Sequence, residues 1–495
     1  MHKDDRLSSL KAAFPLSIAL AGKISRVEHL ANPFVNILNL TVKSEEQYPD
    51  LNGQKGMLWR LTNSIMGAGV TQLRALKYWP KAIRFNPQKT KTDVVIISHL
   101  THPRHLQHDA DFYFGNLADD LTKAGFKTHT VLINHCLATA SDMRQNSRHT
   151  RTLLPAFLPP WAEIKLLLRM FRAAFSLPPI YSPDHCPMFG RNAKLAQFNS
   201  RALSDYRIGM MILQVLSALK PKIVLHTFEG HGWERVMTTG LRKTVATKTP
   251  YIIGYQHAVI FPGKKSISCQ RKSADGLSTD PDHIMTAGRI TCNSLLSEGA
   301  HSSISVLGSV KANPVADPKF AAKGACLIAP EGTMSEVIIM ADLAIKAARI
   351  APHQDFILRL HPVLKRKSVQ RKLNSLAPWP ENFKLSNDSL DDDFRHSSWL
   401  CYRGSTVAFQ GLRQGLRPIY LDPDDRAATN DPISPELRFR RLASDADDLI
   451  QIIDRDRKNP ARGQDELRSS QTYANDYVMP LKPGILLDHI KMVLS

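Results

Sequence analysis

Short runs of β-branched and aliphatic residues recur along this chain, each followed by a segment of helical spacing, and that alternation leaves few folds open. Asp93–His99 (DVVIISH) is apolar on both of its alternating faces, as a buried parallel strand must be. Phe112 to Ala124 has helical spacing and stops at Gly125, and Thr128–Asn134 (THTVLIN) reads as the next strand. The pattern continues through a long helical stretch, Leu195 to Leu219, and the strand Lys222–Thr227 (KIVLHT). A helix from about Trp233 and the strands Tyr251–Gln256, His283–Ala287 and Ser303–Leu307 follow, closing at Gly308. Pro314 and Pro318 mark a linker. The rhythm then restarts with Ala325–Ala329, a helix from Ser335 to about Ala351, and the strand Asp355–Leu360. Phe383–Leu385, Ser398–Tyr402 and Pro418–Leu421 read as later strands. Strand–helix–strand repetition predicts doubly wound parallel sheets, here in two successive α/β halves. The expected division is a partly helical extension over 1–90, a first half over 91–310, a linker over 311–323, a second half over 324–480 and a C-terminal helix over 481–495.

A chain of 495 residues exceeds what one core fills, which agrees with two halves. Its 43% hydrophobic and 22% charged residues exclude a disordered, collagen-like or polytopic membrane chain. The balance of 65 Lys+Arg against 45 Asp+Glu gives a net charge of +20 and implies an anionic partner: nucleic acid, an acidic membrane face, or a phosphorylated or acidic substrate. Six scattered cysteines without a CxxC pair point to free thiols in a reducing cytoplasm rather than to zinc or a disulfide framework. The apolar stretch Ala12 to Gly22 resembles a secretory leader, but Asp4 and Asp5 precede it and Pro15 interrupts it, so a buried strand or short helix is expected there. No run approaches the roughly 20 apolar residues of a membrane span. Trp161 to Phe175 has an amphipathic pattern: Ile164, Leu167, Leu168, Phe171 and Phe175 share a broad face, and Lys165, Arg169 and Arg172 another. Such a helix either covers the sheet with a solvated basic edge or lies in an anionic membrane interface.

Ligands of open parallel sheets collect at the carboxyl ends of strands, and four polar clusters fall there. In Thr227–Glu234 (TFEGHGWE), Glu229, His231 and Glu234 crowd a loop opened by Gly230 and Gly232. A carboxylate in such a loop can take a proton from a hydroxyl, or it can cap the following helix. His257 ends Tyr255–His257 and is either a phosphate or hydroxyl ligand or a hydrogen-bonded structural residue. Arg359 and His361, fixed by Pro362, form a cationic pair suited to a phosphate, with local capping by His361 as the other reading. In Tyr402–Gly415, Gly404, Ser405 and Thr406 lead into a helix, where amides and hydroxyls make an anion site or Ser405 an ordinary cap. Glu331 and Gln410 join the set as substrate-binding candidates. Asp391-Asp392-Asp393 reads as a solvated turn ahead of a strand, and no DxD motif falls in the candidate site.

At these residues, over roughly 220–425, the chain resembles the GT-B glycosyltransferases of bacterial surface-carbohydrate synthesis, especially those using CMP-activated sialic acid, Kdo and related nonulosonates. Phe228-Glu229-Gly230 looks like their acidic-Gly motif, His361-Pro362 like their HP motif, and Ser405-Thr406 like their serine motif. Only one acidic residue precedes Gly230, and Gln410 stands where related enzymes often carry a ribose-binding Glu. The resemblance implies two Rossmann-like domains facing a central cleft, with Glu229 as general base and His361 assisting departure of CMP. Arg359, His361, Gly404, Ser405 and Thr406 would hold the donor phosphate. It implies a metal-independent, inverting transfer with no cofactor beyond the nucleotide-sugar donor, and a glycan or lipid-linked acceptor reached from the cytoplasm, with peripheral contact at the anionic inner membrane. Rival readings are a CDP-glycerol-type phosphotransferase or a nucleotide-sugar epimerase on the same fold, a catalytically silent scaffold, and a basic nucleic-acid-binding protein. The last lacks an RNP motif, a zinc finger and any aromatic-studded basic strand.

Overall fold

The computed structural model describes residues 62, 66–67, 69–77, 91–143, 148–176, 200–244, 249–260, 267, 279–297, 302–312, 323–361, 364, 366–422, 431–433 and 437–495. Almost all of the 1–90 extension, with Ala12 to Gly22, lies outside the described residues, as do Pro314, Pro318, Pro362 and most of the 311–323 linker. The side chains of Phe171, Arg172 and Phe175 lie outside them too.

The first half runs β1 (Val94–Leu100), α1 (Leu117–Lys123), β2 (Thr128–Asn134), β3 (Thr150–Leu153), α2 (Pro160–Ser176), α3 (Ser200–Leu219) and β4 (Ile223–Thr227). It continues with α4 (Gly232–Thr244), β5 (Tyr251–Gln256), β6 (His283–Thr286), α5 (Arg289–Ser297) and β7 (Ser303–Val306). Its seven strands pair in parallel in the order β3-β2-β1-β4-β5-β6-β7. Alternation along β1 sorts the core onto two faces. Val95 and Ile97 pack with Ile212, Val215 and Met237 on one side, and Val94 and Ile96 with Leu117 and Leu121 on the other.

The second half comprises β8 (Ala325–Ala329), α6 (Met334–Ile350), β9 (Phe356–Leu358), α7 (Arg366–Leu373), β10 (Phe383–Leu385), α8 (Leu390–His396), β11 (Ser397–Tyr402) and α9 (Val407–Arg413). Then come β12 (Arg417–Leu421), β13 (Arg441–Ala443), α10 (Ala446–Lys458), α11 (Pro460–Tyr477) and α12 (Pro483–Leu494). Six parallel strands form the order β10-β9-β8-β11-β12-β13. Cys326 and Ile328 face α6 and α10, while Leu327 and Ala329 share a cluster with Phe409 and Tyr477.

Two parallel-sheet α/β halves are therefore what the chain forms. In each sheet the chain leaves a central pair of strands in opposite directions, from β1 and β4 in the first and from β8 and β11 in the second. The carboxyl ends of those pairs open the crevices where such sheets bind ligands. The halves are tied by the segment between α11 and α12. Met479 N donates to Ala287 O (2.8 Å), Ser309 N to Met479 O (2.7 Å) and Lys482 N to Leu307 O (2.8 Å). Beyond it, Leu486 and Ile490 of α12 enter the core of the first half.

Several expectations need correction. The helix expected from Phe112 begins only at Leu117, because the Asp111 carboxylate accepts the amides of Tyr113 (2.7 Å) and Phe114 (2.9 Å) and folds that stretch into a turn. Asp391–Asp393 is not a solvated turn: it is the first turn of α8, capped by Ser389, and Asp393 is buried against Ser386 and Arg359. On α2 the face turned inward holds Glu163 and Leu166, whereas Ile164 and Leu168 are 52% and 62% exposed. The Glu163 carboxylate grips the Arg207 guanidinium in a buried two-point ion pair (Oε2–Nη2 2.7 Å) and accepts Leu158 N (2.9 Å). The short edge strands β3 and β13 carry no clear apolar run and were not anticipated.

Candidate active site at the two switch points

The crevice between β1 and β4 is built around Glu229. After β4, Phe228 N donates to Tyr255 O (2.7 Å), and Gly230 turns the chain with φ +77°, a conformation that favours glycine. Glu234, in the first turn of α4, accepts the amides of Glu229 and Gly230, each at 2.9 Å. It takes the capping role, and in doing so it fixes the loop that carries Glu229. The Glu229 carboxylate meets His257 Nε2 at 2.9 Å and His231 Nε2 at 3.4 Å. Two of the sequence candidates, His231 and His257, thus converge on the carboxylate of a third, Glu229, and Glu234 shapes its loop.

Four further residues join them. His99, at the end of β1, is buried, lies 2.8 Å from His135 through Nδ1, and sets its ring against His231 and Trp233. The Tyr113 ring lies 4.5 Å from His257 between centroids, and Lys311 Nζ stands 5.0 Å from the Tyr113 ring centre. His99 had a legible signal, as the polar residue that closes an apolar strand beside the switch. His135, Tyr113 and Lys311 come from separate loops and had none.

Burial alone would raise the Glu229 carboxyl, but His257 and His231 outweigh it and hold its pKa well below the ordinary value. For His231 the balance runs the other way: burial lowers it, the Glu229 carboxylate outweighs that, and its pKa is raised. Burial pushes Glu234 up to about 7 and drives His99 well below its ordinary range, so His99 is neutral at pH 7. The crevice therefore holds an ionised carboxylate flanked by imidazoles that can take up a proton.

In the second half the strand order sets Arg359 and His361 at the end of β9, Glu331 at the end of β8 and Gly404–Thr406 at the end of β11, side by side. Arg359 is partly committed: Nη1 donates to Asp393 Oδ2 (2.5 Å) and Asp388 O (3.0 Å). His361 is exposed, and partial desolvation lowers its pKa, so it carries little charge at pH 7. Ser405 is buried, and its Oγ accepts Val407 N at 3.3 Å, while Thr406 is exposed with no side-chain cap. Gln410 sits half-buried on α9. Between these loops lies Arg403, which the sequence reading passed over although it directly precedes Gly404. It is 4% exposed and 3.2 Å from Glu336. Lys264 and Lys265, two of the basic residues in the sequence, lie outside the described residues.

His257 also places this site near the joint between the halves. Two residues on, Val259 belongs to the same apolar cluster as Tyr402, Phe409 and Tyr477, and Ile260 N donates to Tyr477 Oη at 3.0 Å. Among the described residues no group of three or more His, Cys, Asp or Glu is arranged to hold a metal ion.

No family model and no curated protein matches the chain. Among solved structures, the chain is similar to the glycotransferase of kitacinnamycin at 10% identity and a TM-score of 0.47, over 82% of this chain and 100% of that one. The calicheamicin glycosyltransferase CalG4 aligns at 10% identity and a TM-score of 0.44, over 82% and 98%. The UDP-GlcNAc 2-epimerase from Neisseria meningitidis, bound to UDP-GlcNAc, aligns at 12% and 0.42, over 81% and 100%. Likenesses this distant carry no argument about activity, which has to rest on the residues of this chain.

Proposed function

We propose that this chain is a GT-B glycosyltransferase that moves an acidic nonulosonic sugar from a CMP donor to a surface polysaccharide, lipid-linked glycan or glycoprotein. The observation that carries the reading is the Glu229 carboxylate set between His231 and His257 at the first switch point. An acceptor hydroxyl is too weak an acid to ionise first, so its proton must leave as its oxygen attacks. The Glu229–imidazole group receives that proton. A carbon–oxygen bond forms at the anomeric carbon, the bond to the donor phosphate breaks, and CMP leaves with the electron pair. A single displacement of this kind inverts the anomeric centre. Arg359, His361, Ser405 and Thr406 stabilise the departing phosphate with donors from this chain, without a metal ion.

A calorimetric panel of CMP, CDP and UDP tests the donor assignment. CMP is expected to bind best, and His361→Ala to weaken it at least about 10-fold. Indifference to CMP sinks the assignment. Epimerisation of a UDP-sugar, or glycerophosphate transfer from CDP-glycerol, would replace it with one of the rival enzymes.

The same reading puts the protein on the cytoplasmic face of an anionic membrane. On α2 the exposed positions Trp161, Ile164, Lys165, Leu168 and Arg169 form one stripe of three apolar and two cationic residues, with Lys165 Nζ 5.3 Å from the Trp161 ring centre. The one acidic residue of the helix, Glu163, is turned inward. Large apolar side chains with cationic neighbours suit a headgroup boundary. Among the described residues no helix is long and apolar enough to cross a membrane. Sedimentation with phosphatidylcholine vesicles, with and without phosphatidylglycerol, checks this. Trp161→Ser with Leu168→Ser should weaken binding to both at least about 10-fold, and Lys165→Ala with Arg169→Ala should remove the preference for phosphatidylglycerol. A wild-type protein that ignores both vesicles refutes the membrane reading.

A further inference from the structure

The second switch point contains a cation that the motif comparison did not nominate. Arg403 is the first residue after β11, and Glu336 lies in the first turn of α6, just after β8. β8 and β11 are the neighbouring strands from which the chain departs in opposite directions, so their ion pair spans the crevice itself. The pair is incomplete. Arg403 Nε lies 3.2 Å from Glu336 Oε2 as an ion pair, but both Nε and Nη1 are buried with no hydrogen-bond partner, and the residue as a whole is only 4% exposed. A structural Arg–carboxylate pair normally uses its planar fork in two parallel hydrogen bonds. The buried Glu163–Arg207 pair of this same protein does so. An unfilled guanidinium donor inside a protein is unfavourable unless a ligand supplies the acceptor. Arg359 offers a contrast, since its Nη1 already holds Asp393 and the Asp388 carbonyl and it stands one strand further from the switch.

We propose that Arg403 is the anion receptor of the second half, taking a phosphate of the nucleotide through its free donors while the charge of Glu336, 3.2 Å away, keeps the guanidinium at the crevice. A guanidinium carries five N–H donors, so it can bridge a protein carboxylate and a ligand phosphate at once. Glu336 is a positioning residue: without it the long side chain has no anchor across the crevice. The inference rests on the nucleotide-dependent reading above for the identity of the ligand, but not for the existence of the anion site.

Calorimetry on the full-length chain tests it, with CMP, cytidine and inorganic pyrophosphate as probes. The wild type should bind CMP at least about 10-fold more tightly than cytidine, the excess coming from the phosphate. Arg403→Gln should remove most of that difference without changing the affinity for cytidine. Should Arg403→Gln fail to fold, Arg403→Lys takes its place: it keeps the charge, loses the fork, and should cut the CMP-to-cytidine ratio several-fold. A full ratio in Arg403→Lys, or in a folded Arg403→Gln, overturns the proposal and leaves the glycosyltransferase reading standing. A chain that ignores cytidine nucleotides, yet binds pyrophosphate through Arg403, loses the CMP assignment and keeps this site. Wild-type protein that binds neither CMP nor pyrophosphate overturns it as well.

Discussion

Glu229→Gln lowers kcat by about 10²- to 10⁴-fold, the range a positioned proton acceptor contributes, while CMP affinity stays within about twofold of wild type. The substitution keeps the size of the side chain and one carbonyl oxygen. It removes the charge that draws His231 and His257 together, and it replaces an acceptor by an amide donor facing an imidazole. The loops proposed to bind the nucleotide lie on the other sheet, so binding of CMP should be spared, and that separates a catalytic from a folding defect. The pH profile gives a sharper readout. With Glu229 held ionised well below neutrality, its own titration lies on the acid side, and the group that gates proton uptake near neutrality is His231. An imidazole must be neutral to accept a proton, so kcat/KM should rise with pH through the raised pKa of His231, above 6.5. The Glu229 carboxylate is what raises that pKa, so in Glu229→Gln the remaining activity should rise at lower pH than in the wild type. A variant with wild-type kcat, or with the limb unmoved, would falsify the role of Glu229 and its two imidazoles.

How much of this could be read from the sequence follows from the range of the interactions. Buried parallel strands announce themselves because both faces need apolar residues, so β1, β2, β4, β5, β8 and β11 were legible as runs such as DVVIISH and KIVLHT. Of the four edge strands, β7 (SISV) and β10 (FKL) were legible, whereas β3 (TRTL) and β13 (RLA) are short, carry arginine and have no such pattern. The loop Thr227–Glu234 was legible because glycines and acids crowd a strand end, and it could be seen that Glu234 either caps or reacts. Choosing between those roles needed the distances to the two amides. His135, Tyr113 and Lys311 reach the site from three different loops, so no local spacing reveals them. The rotation of α2 could not be read from its periodicity, which fits a helix covering the sheet and one facing a membrane equally; the structure turns Glu163 inward to Arg207 of α3 and leaves Ile164 and Leu168 exposed. Arg403 was missed for another reason: an arginine beside a Gly-Ser-Thr loop looks like part of the loop until its strand is known to border the switch.

The joint between the halves should be the most sensitive structural point, and Gly308 the residue that shows it. Its φ of +88° disfavours any residue with a Cβ, and a Cβ built there would lie 2.0 Å from Pro480 O and 2.5 Å from Pro480 C. Those are backbone atoms of the segment that carries Met479 and Lys482 into hydrogen bonds with the first half, so neither side can yield by rotating a side chain. Gly308→Ala combines left-handed strain of roughly 1–2 kcal/mol with overpacking of about 1–3 kcal/mol, a loss of about 3 kcal/mol in all. Gly125→Ala separates the two terms, because its φ is +91° with nothing within 4 Å, so it should lose only the roughly 1–2 kcal/mol of strain. Gly484, near the start of α12, also has open space and no unusual φ, and Gly484→Ala should gain about 0.5–1 kcal/mol. Chemical unfolding followed by circular dichroism ranks the three variants. The displaced segment leads into α12, whose Leu486 and Ile490 fill the core of the first half, so Gly308→Ala should also speed hydrogen exchange in α12 relative to β11. Equal losses in Gly308→Ala and Gly125→Ala, with α12 as protected as before, would mean that this segment does not hold the two halves together.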